Sequence, residues 1–575
     1  MKRPIINILI SIVLGLFCYI LKDYSILSVI IIFILYFVVN ICLYNSKINS
    51  FILILLVVIG FFVNYIYYES TINQRGTFKV KAENIQKKYL IGYYNKRKIK
   101  IVGNINNIKE GDNLIIKGTF KKDKNIEKGI VGLLFSDEKI KVGESKRLNL
   151  IDKFFSKLSD KIGEEKSAIV ISSCLGEDKY LTENQKLDIK NLGIVHVMCV
   201  SGFHLTLIYG FLIKFLGFYP SIAITFLYVI LTGGNAPSIR AFIMITLLNL
   251  GKRLRKNYDG LSALSFSAIL LLLVNPYLIF DFGFNLSYFA TLGILLFFKK
   301  IKRKLYKLPI FLNNIVSLSL SAQVFTFPLI ALVIKEFSLN FIISNIFIVP
   351  IFTPLIIIGN LSMIFSLINP IFNFLSIILN LILLVLDGAM YIINTIAIES
   401  IIFNNILVYF YLSTLICVYM IKKGQRKFKN IPLILFIVSF FLIYSFSPRI
   451  IFFRDKYNKG IVIHSGFKKI FLTNSKNQYF IKNARLNYGV TEFIALDEDK
   501  KIKTHNHFIK IDRNLRYMYL QGKNKKIFFT ENNENINKEI YCDIIFLSNE
   551  YEEQRFFSML FKDKGYMINW RGRLK

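Results

Sequence analysis

The chain has 575 residues, of which 54% are hydrophobic, and its mean hydropathy is positive at +0.48. Many apolar runs exceed the roughly 18 residues that predict a membrane-spanning helix, so the composition excludes an ordinary soluble protein and indicates a polytopic α-helical membrane protein. The formal net charge of +36 is unevenly placed along the chain.

The first 69 residues contain three apolar runs, at about 4–21, 26–44 and 50–68, which predict three transmembrane helices. The first run resembles a signal peptide, but no small-residue cleavage site follows it, so it is expected to be retained. Because Lys2 and Arg3 precede it, the positive-inside rule predicts a cytoplasmic amino terminus.

Residues 70–149 are polar and contain several short β-patterned runs separated by glycines. About five strands in so short a stretch predict a small OB-like β-barrel. Between Arg75 and Arg147 there are 19 Lys or Arg against 8 Asp or Glu, a net of +11. With Tyr89, Tyr93 and Tyr94 expected on its surface, the barrel is predicted to follow a phosphate backbone and stack bases. A lysine-rich surface near anionic lipid headgroups remains an alternative.

Residues 150–192 begin with a helical pattern whose apolar positions fall on one face. This pattern predicts an amphipathic helix in the membrane interface, followed by a linker. A surface helix packed against the protein is the alternative. The apolar face comprises Leu150, Ile151, Phe154, Phe155, Leu158 and Ile162.

Residues 193–447 are predicted to form a second helical membrane domain. Three basic loops, Gly251–Lys256, Lys299–Lys304 and Lys422–Lys427, are separated by even numbers of predicted spans, so all three can be cytoplasmic. The same parity predicts that the barrel and the carboxy-terminal domain are external. The apolar runs lie at about 194–216, 218–232, 237–250, 261–276, 278–298, 311–334, 338–368, 371–398, 405–421 and 431–447.

Polar residues interrupt four of these runs. Such residues are costly in a bilayer and indicate a functional site unless they join helices together. Arg240 is the most costly of them, and its guanidinium suits phosphate or carboxylate. Gly202 and Pro237, which lie among them, are expected to loosen the helices. The predicted path comprises His196, Ser201, Gly202, His204, Asn235, Pro237, Ser238, Arg240, Asp281, Asn285, Ser287 and Gln323.

Four segments occur in this order: GIVHVMCVSGFHLTLI, GGNAPSIRAFIM, NPYLIFDFGFNLSYFATLGIL and AQVFTFPLIALVIKEFSLNFIISNIFIVP. They resemble the signatures of the ComEC-type competence DNA-uptake channels. The resemblance implies a channel that takes up single-stranded transforming DNA across the plasma membrane of a bacterium. It also implies an external DNA receptor and a cytoplasmic DNA-translocating ATPase as partners, with homo-oligomerisation left open. In this chain we expect no catalytic residues and no metal or other cofactor.

Residues 448–575 are predicted to form a soluble αβ domain, with 25 Lys or Arg against 14 Asp or Glu from Arg449 onward. The resemblance implies a metallo-β-lactamase-like domain, whose metal motif is rich in histidine. Here the corresponding strand, Val490–Lys501, contains no histidine, and Asn549 lies where a ligand histidine is expected. A degenerate domain without a metal site is therefore predicted, and three other histidines do not assemble one: His464, His505 and His507.

Two alternative functions remain open. One is an intramembrane hydrolase that uses Ser201 or Cys199 as the nucleophile and His204 or His196 as the base. The other is a transporter of another anionic polymer or of a lipid. The chain has no Gly-rich nucleotide-binding motif with a lysine, so a separate ATPase is expected to supply energy.

Overall fold

A computed structural model describes most of the chain, and the residues fall into two compact units that are treated separately below. The first unit is Met1–Thr326 with Ser338–Glu399, and the second is Phe327–Phe337 with Ser400–Lys575. The described residues are 3–44, 47–69, 71–86, 89–103, 108, 110–143, 145–398, 400–454, 458–496, 498–504, 507–511, 517–521, 526–530, 544–547, 553–557 and 566–568.

Three helices open the first unit: α1 (Pro4–Leu21), α2 (Ile26–Tyr44) and α3 (Lys47–Glu69). Helices α1 and α3 approach closely at Gly15 and Gly60. A Cβ atom on Gly15 would lie 2.0 Å from the Val57 carbonyl oxygen, and one on Gly60 would lie 2.3 Å from that of Ile12. Small residues therefore set the crossing, as is common between membrane helices.

The barrel follows directly, and its five strands close in the order β1–β2–β3–β5–β4. Only the β3–β5 pair is parallel. Alternate residues point inward, so Phe78, Val80 and Ile99 are buried in the barrel core. The predicted five-stranded barrel is confirmed. Its strands are β1 (Arg75–Gln86), β2 (Tyr89–Tyr94), β3 (Arg97–Val102), β4 (Asn113–Asn125) and β5 (Ile130–Gly143).

The barrel is joined to the helices through tyrosines. The Tyr67 hydroxyl donates to the Gly129 carbonyl oxygen at 3.0 Å, and the Tyr93 and Tyr277 hydroxyls lie 3.0 Å apart. The expectation of exposed Tyr89, Tyr93 and Tyr94 is wrong, because all three are partly buried. Tyr93 packs toward the helices, so it is not free to stack on a base.

Three helices follow the barrel: α4 (Lys146–Ile162), α5 (Glu164–Leu175) and α6 (Glu183–Leu192). The predicted apolar face of α4 is real, since Ile151 and Leu158 are fully buried. These side chains belong to a core cluster that also includes residues of α5 and of later helices. The face is therefore covered by protein, and an interfacial position of α4 stays a prediction.

The remaining helices of the first unit break where polar residues and prolines occur. The run predicted at about 338–368 divides at Ile348 into two helices. Short 3₁₀ helices lie at Pro276–Phe280 and Phe365–Leu367. The α-helices are α7 (Val195–Met198), α8 (Gly202–Leu216), α9 (Phe218–Leu231), α10 (Ala236–Arg253), α11 (Gly260–Val274), α12 (Phe282–Lys304), α13 (Ile310–Val333, which ends in the second unit), α14 (Phe341–Phe347), α15 (Val349–Ile364) and α16 (Asn369–Ile396).

Within the described residues, seven helices are long and apolar enough to cross a membrane, and four others are apolar but shorter. This confirms a polytopic membrane protein. The seven spans are Pro4–Leu21, Ser50–Glu69, Phe282–Lys304, Ile310–Val333, Val349–Leu367, Asn369–Ile396 and Asn405–Lys422.

The second unit begins with the two-residue strands β6 (Glu336–Phe337) and β7 (Ile401–Ile402), which pair antiparallel. Helices α17 (Asn405–Lys422) and α18 (Ile431–Ile443) follow, with a 3₁₀ turn at Arg426–Lys429 between them.

Two sheets and the helix α19 (Gln478–Tyr488) complete this unit, with strand orders β11–β10–β9–β8–β17–β18 and β12–β13–β14–β15–β16. These two sheets and the one described helix agree with the predicted αβ class. A relationship of this domain to metallo-β-lactamases stays a prediction. His505 and Asn549 lie outside the described residues. The strands are β8 (Ser445–Arg454), β9 (Lys459–Gly466), β10 (Lys468–Thr473), β11 (Glu492–Ala495), β12 (Lys500–Thr504), β13 (His507–Ile511), β14 (Tyr517–Gln521), β15 (Lys526–Thr530), β16 (Ile544–Leu547), β17 (Glu553–Phe557) and β18 (Tyr566–Ile568).

Candidate polyanion site in the helical domain

The break between α7 and α8 is an N-terminal capping box. The chain is extended at Cys199 and Ser201, and α8 begins at Gly202. The Ser201 Oγ accepts from the Phe203 amide at 3.3 Å, while His204 Nδ1 accepts from the Ser201 amide at 3.2 Å. His204 thus takes the place of the Glu or Gln usual in such a box. The Ser-x-x-His spacing therefore has a structural function.

His204 is fully buried. The capping box determines which ring nitrogen carries the proton when the ring is neutral. Because Nδ1 accepts an amide hydrogen, the ring proton of neutral His204 lies on Nε2. Within the described residues, Nε2 has no hydrogen-bond partner. The Ser201 Oγ lies 3.1 Å from Nδ1, but no carboxylate of a described residue bonds the other ring nitrogen to orient the pair as in a catalytic triad.

Arg240 lies in the second turn of α10 and is only 8% exposed. Its Nε donates to Ser287 Oγ at 2.8 Å, and its Nη1 donates to Thr291 Oγ1; both acceptors are on α12. Ser287 and Thr291 are four residues apart, so they share one face of that helix. The predicted Arg240 and Ser287 are therefore brought together.

The buried guanidinium of Arg240 has no acidic partner in the described part of the chain. Its acceptors are two neutral hydroxyls and, at 3.6 Å, the Met244 sulfur. The Tyr288 ring lies 5.9 Å from the guanidinium carbon. Gly202, the first residue of α8, is close to Nη2. A buried charge without a counter-charge is costly, so the arrangement favours an anion at this place.

The start of α10 is shaped by the turn that precedes it. Gly233 and Gly234 have φ angles of +91° and +64°, which favour glycine. Asn235 is the N-cap residue, Pro237 is in the first turn, and the Ser238 Oγ donates to the Asn235 carbonyl at 2.8 Å. The predicted helix break is therefore present, and it positions Arg240 one turn further on.

The other predicted residues have separate local contacts. The Asp281 Oδ1 caps α12 by accepting from the Phe284 amide at 2.6 Å, and Asn285 donates to the Ile279 carbonyl at 2.8 Å. Gln323 accepts from the Thr326 hydroxyl at 2.8 Å. His196 is exposed on α7. The structure shows no hydrogen bond from any of these four residues to Arg240.

Comparison with known proteins identifies this helical part. Residues 173–426 match the model of the Competence family, whose description is "Competence protein". This stretch is a Competence-family domain. All twelve residues of the predicted path lie within it, so the resemblance to ComEC-type proteins is confirmed for this domain.

Three relatives match the chain over part of its length. ComE operon protein 3 of Bacillus subtilis (strain 168) is 30% identical over 201 residues, which are 32% of this chain and 24% of the relative. An uncharacterized protein of Aquifex aeolicus (strain VF5) is 30% identical over 235 residues, 39% of this chain and 52% of the relative. An uncharacterized protein of Mycoplasma genitalium is 33% identical over 117 residues, 19% of this chain and 30% of the relative.

The chain thus spans between a quarter and about half of the length of these relatives. No solved structure matches it. The barrel and most of the carboxy-terminal unit lie outside residues 173–426, so the family match concerns the competence domain alone.

Sequence reasoning missed the residues that complete the surroundings of Arg240 in the competence domain. Thr291 accepts one of its hydrogen bonds, while Met244 and Tyr288 contact the guanidinium. Thr291 could have been found from its spacing to Ser287. The other two are an apolar and an aromatic residue in a membrane helix, so nothing in the sequence distinguishes them.

Proposed function

We propose that this protein conducts single-stranded DNA across the plasma membrane of a bacterium during natural transformation. The observation that carries the proposal is the buried Arg240, whose only described hydrogen-bond acceptors are uncharged. The competence domain that contains it supports a role in DNA uptake. That the protein itself forms the channel for the DNA is our proposal.

Helix ends strengthen the positive potential around Arg240. Gly202 opens α8, Arg240 lies in the second turn of α10, and Ser287 lies in the second turn of α12. The amino-terminal end of each helix carries a partial positive charge that attracts anions. The beginning of α12 is already capped by the Asp281 carboxylate, so the beginnings of α8 and α10 supply the positive potential. A guanidinium near these two ends suits a phosphodiester that passes by, since arginine binds phosphate oxygens with two parallel N–H groups.

The barrel and the carboxy-terminal domain each carry a net charge of +11 by sequence. We assign residues 70–149 and 448–575 to the external side, with a cytoplasmic amino terminus and residues 193–447 as the conducting part. On the external side, the barrel and the carboxy-terminal domain would attract the DNA electrostatically before it enters the conducting part. An external DNA receptor would deliver the strand, and a cytoplasmic ATPase would pull it.

The chain itself is proposed to have no catalytic, metal or cofactor site. The carboxy-terminal domain would then be a degenerate relative of metallo-β-lactamases that binds DNA without cleaving it. Among the described residues, no three His, Cys, Asp or Glu side chains are grouped so as to hold a metal ion. Incubating the purified chain with labelled single-stranded DNA and Zn²⁺ tests this, because steady hydrolysis would contradict it.

The central experiment measures the uptake of labelled DNA in a deletion strain that carries either the unchanged chain or Arg240→Gln. The matched control is Arg253→Gln, which removes an arginine from the other end of α10. We expect Arg240→Gln to reduce uptake by at least tenfold at equal protein levels in the membrane, with little effect of Arg253→Gln. Normal uptake by Arg240→Gln would contradict the proposal.

A further inference from the structure

A recess of about 510 Å³ lies where the end of α3 meets strands β1 and β4 of the barrel. It is separate from Arg240 and from the competence domain. Three cationic side chains line it, namely Arg75, Lys121 and Lys122. Thr71 and Thr119 also line the recess, and Ile72, which is partly buried, supplies apolar surface.

Only one of these three cations is paired with a carboxylate in the described structure. Glu69, the one acidic residue of the lining, binds Lys122. It also accepts from the Tyr19 hydroxyl at 3.0 Å and from Lys124 at 3.3 Å, so its charge is already shared. Arg75 and Lys121 form no ion pair with any described residue. The recess therefore keeps a net positive charge that an anion can neutralise.

The position of the recess indicates which anion. Glu69 is the last residue of the span Ser50–Glu69, so the recess lies at the end of a membrane-crossing helix, where lipid headgroups are found. Ile72, a partly buried residue of the lining, places hydrocarbon surface next to the cations. A free phosphate gains nothing from such surface, whereas a phospholipid carries its phosphate beside glycerol and acyl chains.

We propose that this recess binds the headgroup of an anionic phospholipid. The phosphate is held by Arg75 and Lys121, and the hydroxyls of Thr71 and Thr119 are available to the rest of the headgroup. The bound lipid fixes the barrel against the membrane surface at the end of α3. This site does not depend on the DNA transport proposed above.

The test uses the purified full-length chain in detergent, with phosphatidylglycerol as the probe, phosphatidylcholine as the neutral comparison and native mass spectrometry as the readout. The double variant Arg75→Gln/Lys121→Gln removes the two unpaired cations. The matched double variant Lys79→Gln/Lys128→Gln removes the same charge from barrel positions outside the recess. Thermal unfolding of both variants confirms that the barrel is intact.

We expect the first variant to bind phosphatidylglycerol roughly thirtyfold more weakly, since each cation near headgroups contributes about 1 kcal/mol and about 1.4 kcal/mol is tenfold. The second variant should bind as the unchanged chain does. Unchanged binding by the first variant, or an equal loss in both, would overturn the site.

Two further measurements distinguish a phospholipid from free phosphate and from nucleic acid as the ligand of the recess. If inorganic phosphate displaces phosphatidylglycerol at equal concentration, the recess is a simple phosphate site and the lipid proposal fails. If Arg75→Gln/Lys121→Gln loses binding of an oligothymidylate but keeps phosphatidylglycerol, the recess serves nucleic acid and the lipid proposal also fails. The lipid proposal is supported if inorganic phosphate does not displace phosphatidylglycerol and Arg75→Gln/Lys121→Gln weakens the binding of phosphatidylglycerol.

Discussion

Gly202 and Arg240 are so close that a Cβ atom on residue 202 would lie 3.3 Å from the Nη2 atom of the guanidinium. The same Cβ would lie 3.5 Å from the Cβ of Ala241. The absence of a side chain at the first residue of α8 thus lets this helix approach the buried guanidinium closely. In the function proposed above, this approach matters because a side chain at residue 202 would displace the Nη2 atom that is proposed to bind phosphate.

Gly202→Ala is expected to reduce DNA uptake without weakening the fold. The φ angle of Gly202 is not in the left-handed region, so the backbone tolerates alanine there. The new methyl group would cover Nη2 or displace it. Uptake of labelled DNA and thermal unfolding of the purified chain are the two measurements.

Gly210→Ala is the control for this prediction. It lies on the same helix, and a Cβ there would meet no atom within 4 Å. Alanine favours a helix interior by about 0.5–1 kcal/mol over glycine, so Gly210→Ala should stabilise α8 and leave uptake unchanged. If Gly202→Ala and Gly210→Ala have the same uptake, the close approach of α8 to Arg240 has no function in transport.

Thr291→Val is expected to destabilise the competence domain, because it removes an acceptor from a buried charged group. Hydrogen bonds to charged groups contribute roughly 1.5–3 kcal/mol, so the unfolding temperature should fall clearly. Thr291→Ser keeps the hydroxyl and should retain most of the stability. Equal unfolding temperatures for the two variants would show that Nη1 finds another acceptor.

The sequence predicted the breaks in the helices better than the contacts across them. Ser201 and Asn235 each precede a helix, and a glycine or proline follows or flanks each cap, so local chemistry indicates where α8 and α10 begin. That Arg240 meets Ser287 and Thr291 depends on how α10 packs on α12. This packing is set by tertiary structure, which a single sequence does not display.

The barrel shows the same division. Its strands follow from short alternating runs between glycines, so the sequence predicts them. The sequence does not predict which outer residues are covered, because alternation separates the inside of the barrel from the outside but does not reveal where the helices pack. Tyr93 was therefore expected to be exposed, although its hydroxyl meets that of Tyr277.

The capping box distinguishes the channel from the alternative of an intramembrane hydrolase. Ser201→Asn keeps an N-cap acceptor but removes the nucleophile, whereas Ser201→Val removes both. If the residue is structural, Ser201→Asn should retain DNA uptake and Ser201→Val should lose about 1 kcal/mol of stability. His204→Gln should likewise be tolerated better than His204→Leu, because Gln is usual at that position of a capping box.

A hydrolase gives the opposite result. Ser201→Asn would then be inactive although it folds normally, and His204→Gln would be inactive as well. Uptake of labelled DNA, measured beside thermal unfolding for the four variants, separates these outcomes. Loss of uptake in both conservative variants at unchanged stability would favour chemistry at Ser201 over a structural cap.

DNA binding by the barrel is expected to depend steeply on salt. For single strands, the logarithm of the binding constant falls with the logarithm of the salt concentration by about 0.7 for each phosphate neutralised. Lys81 on β1 and Lys117 on β4 are exposed on the outer face of neighbouring strands. The double variant Lys81→Gln/Lys117→Gln in the full-length chain should therefore reduce the slope for an oligothymidylate by about 1.4. The control is Lys300→Gln/Lys304→Gln, which removes the same charge from the end of α12, in a segment predicted to be cytoplasmic. An equal change of slope in both variants would mean that the barrel is not the collecting surface.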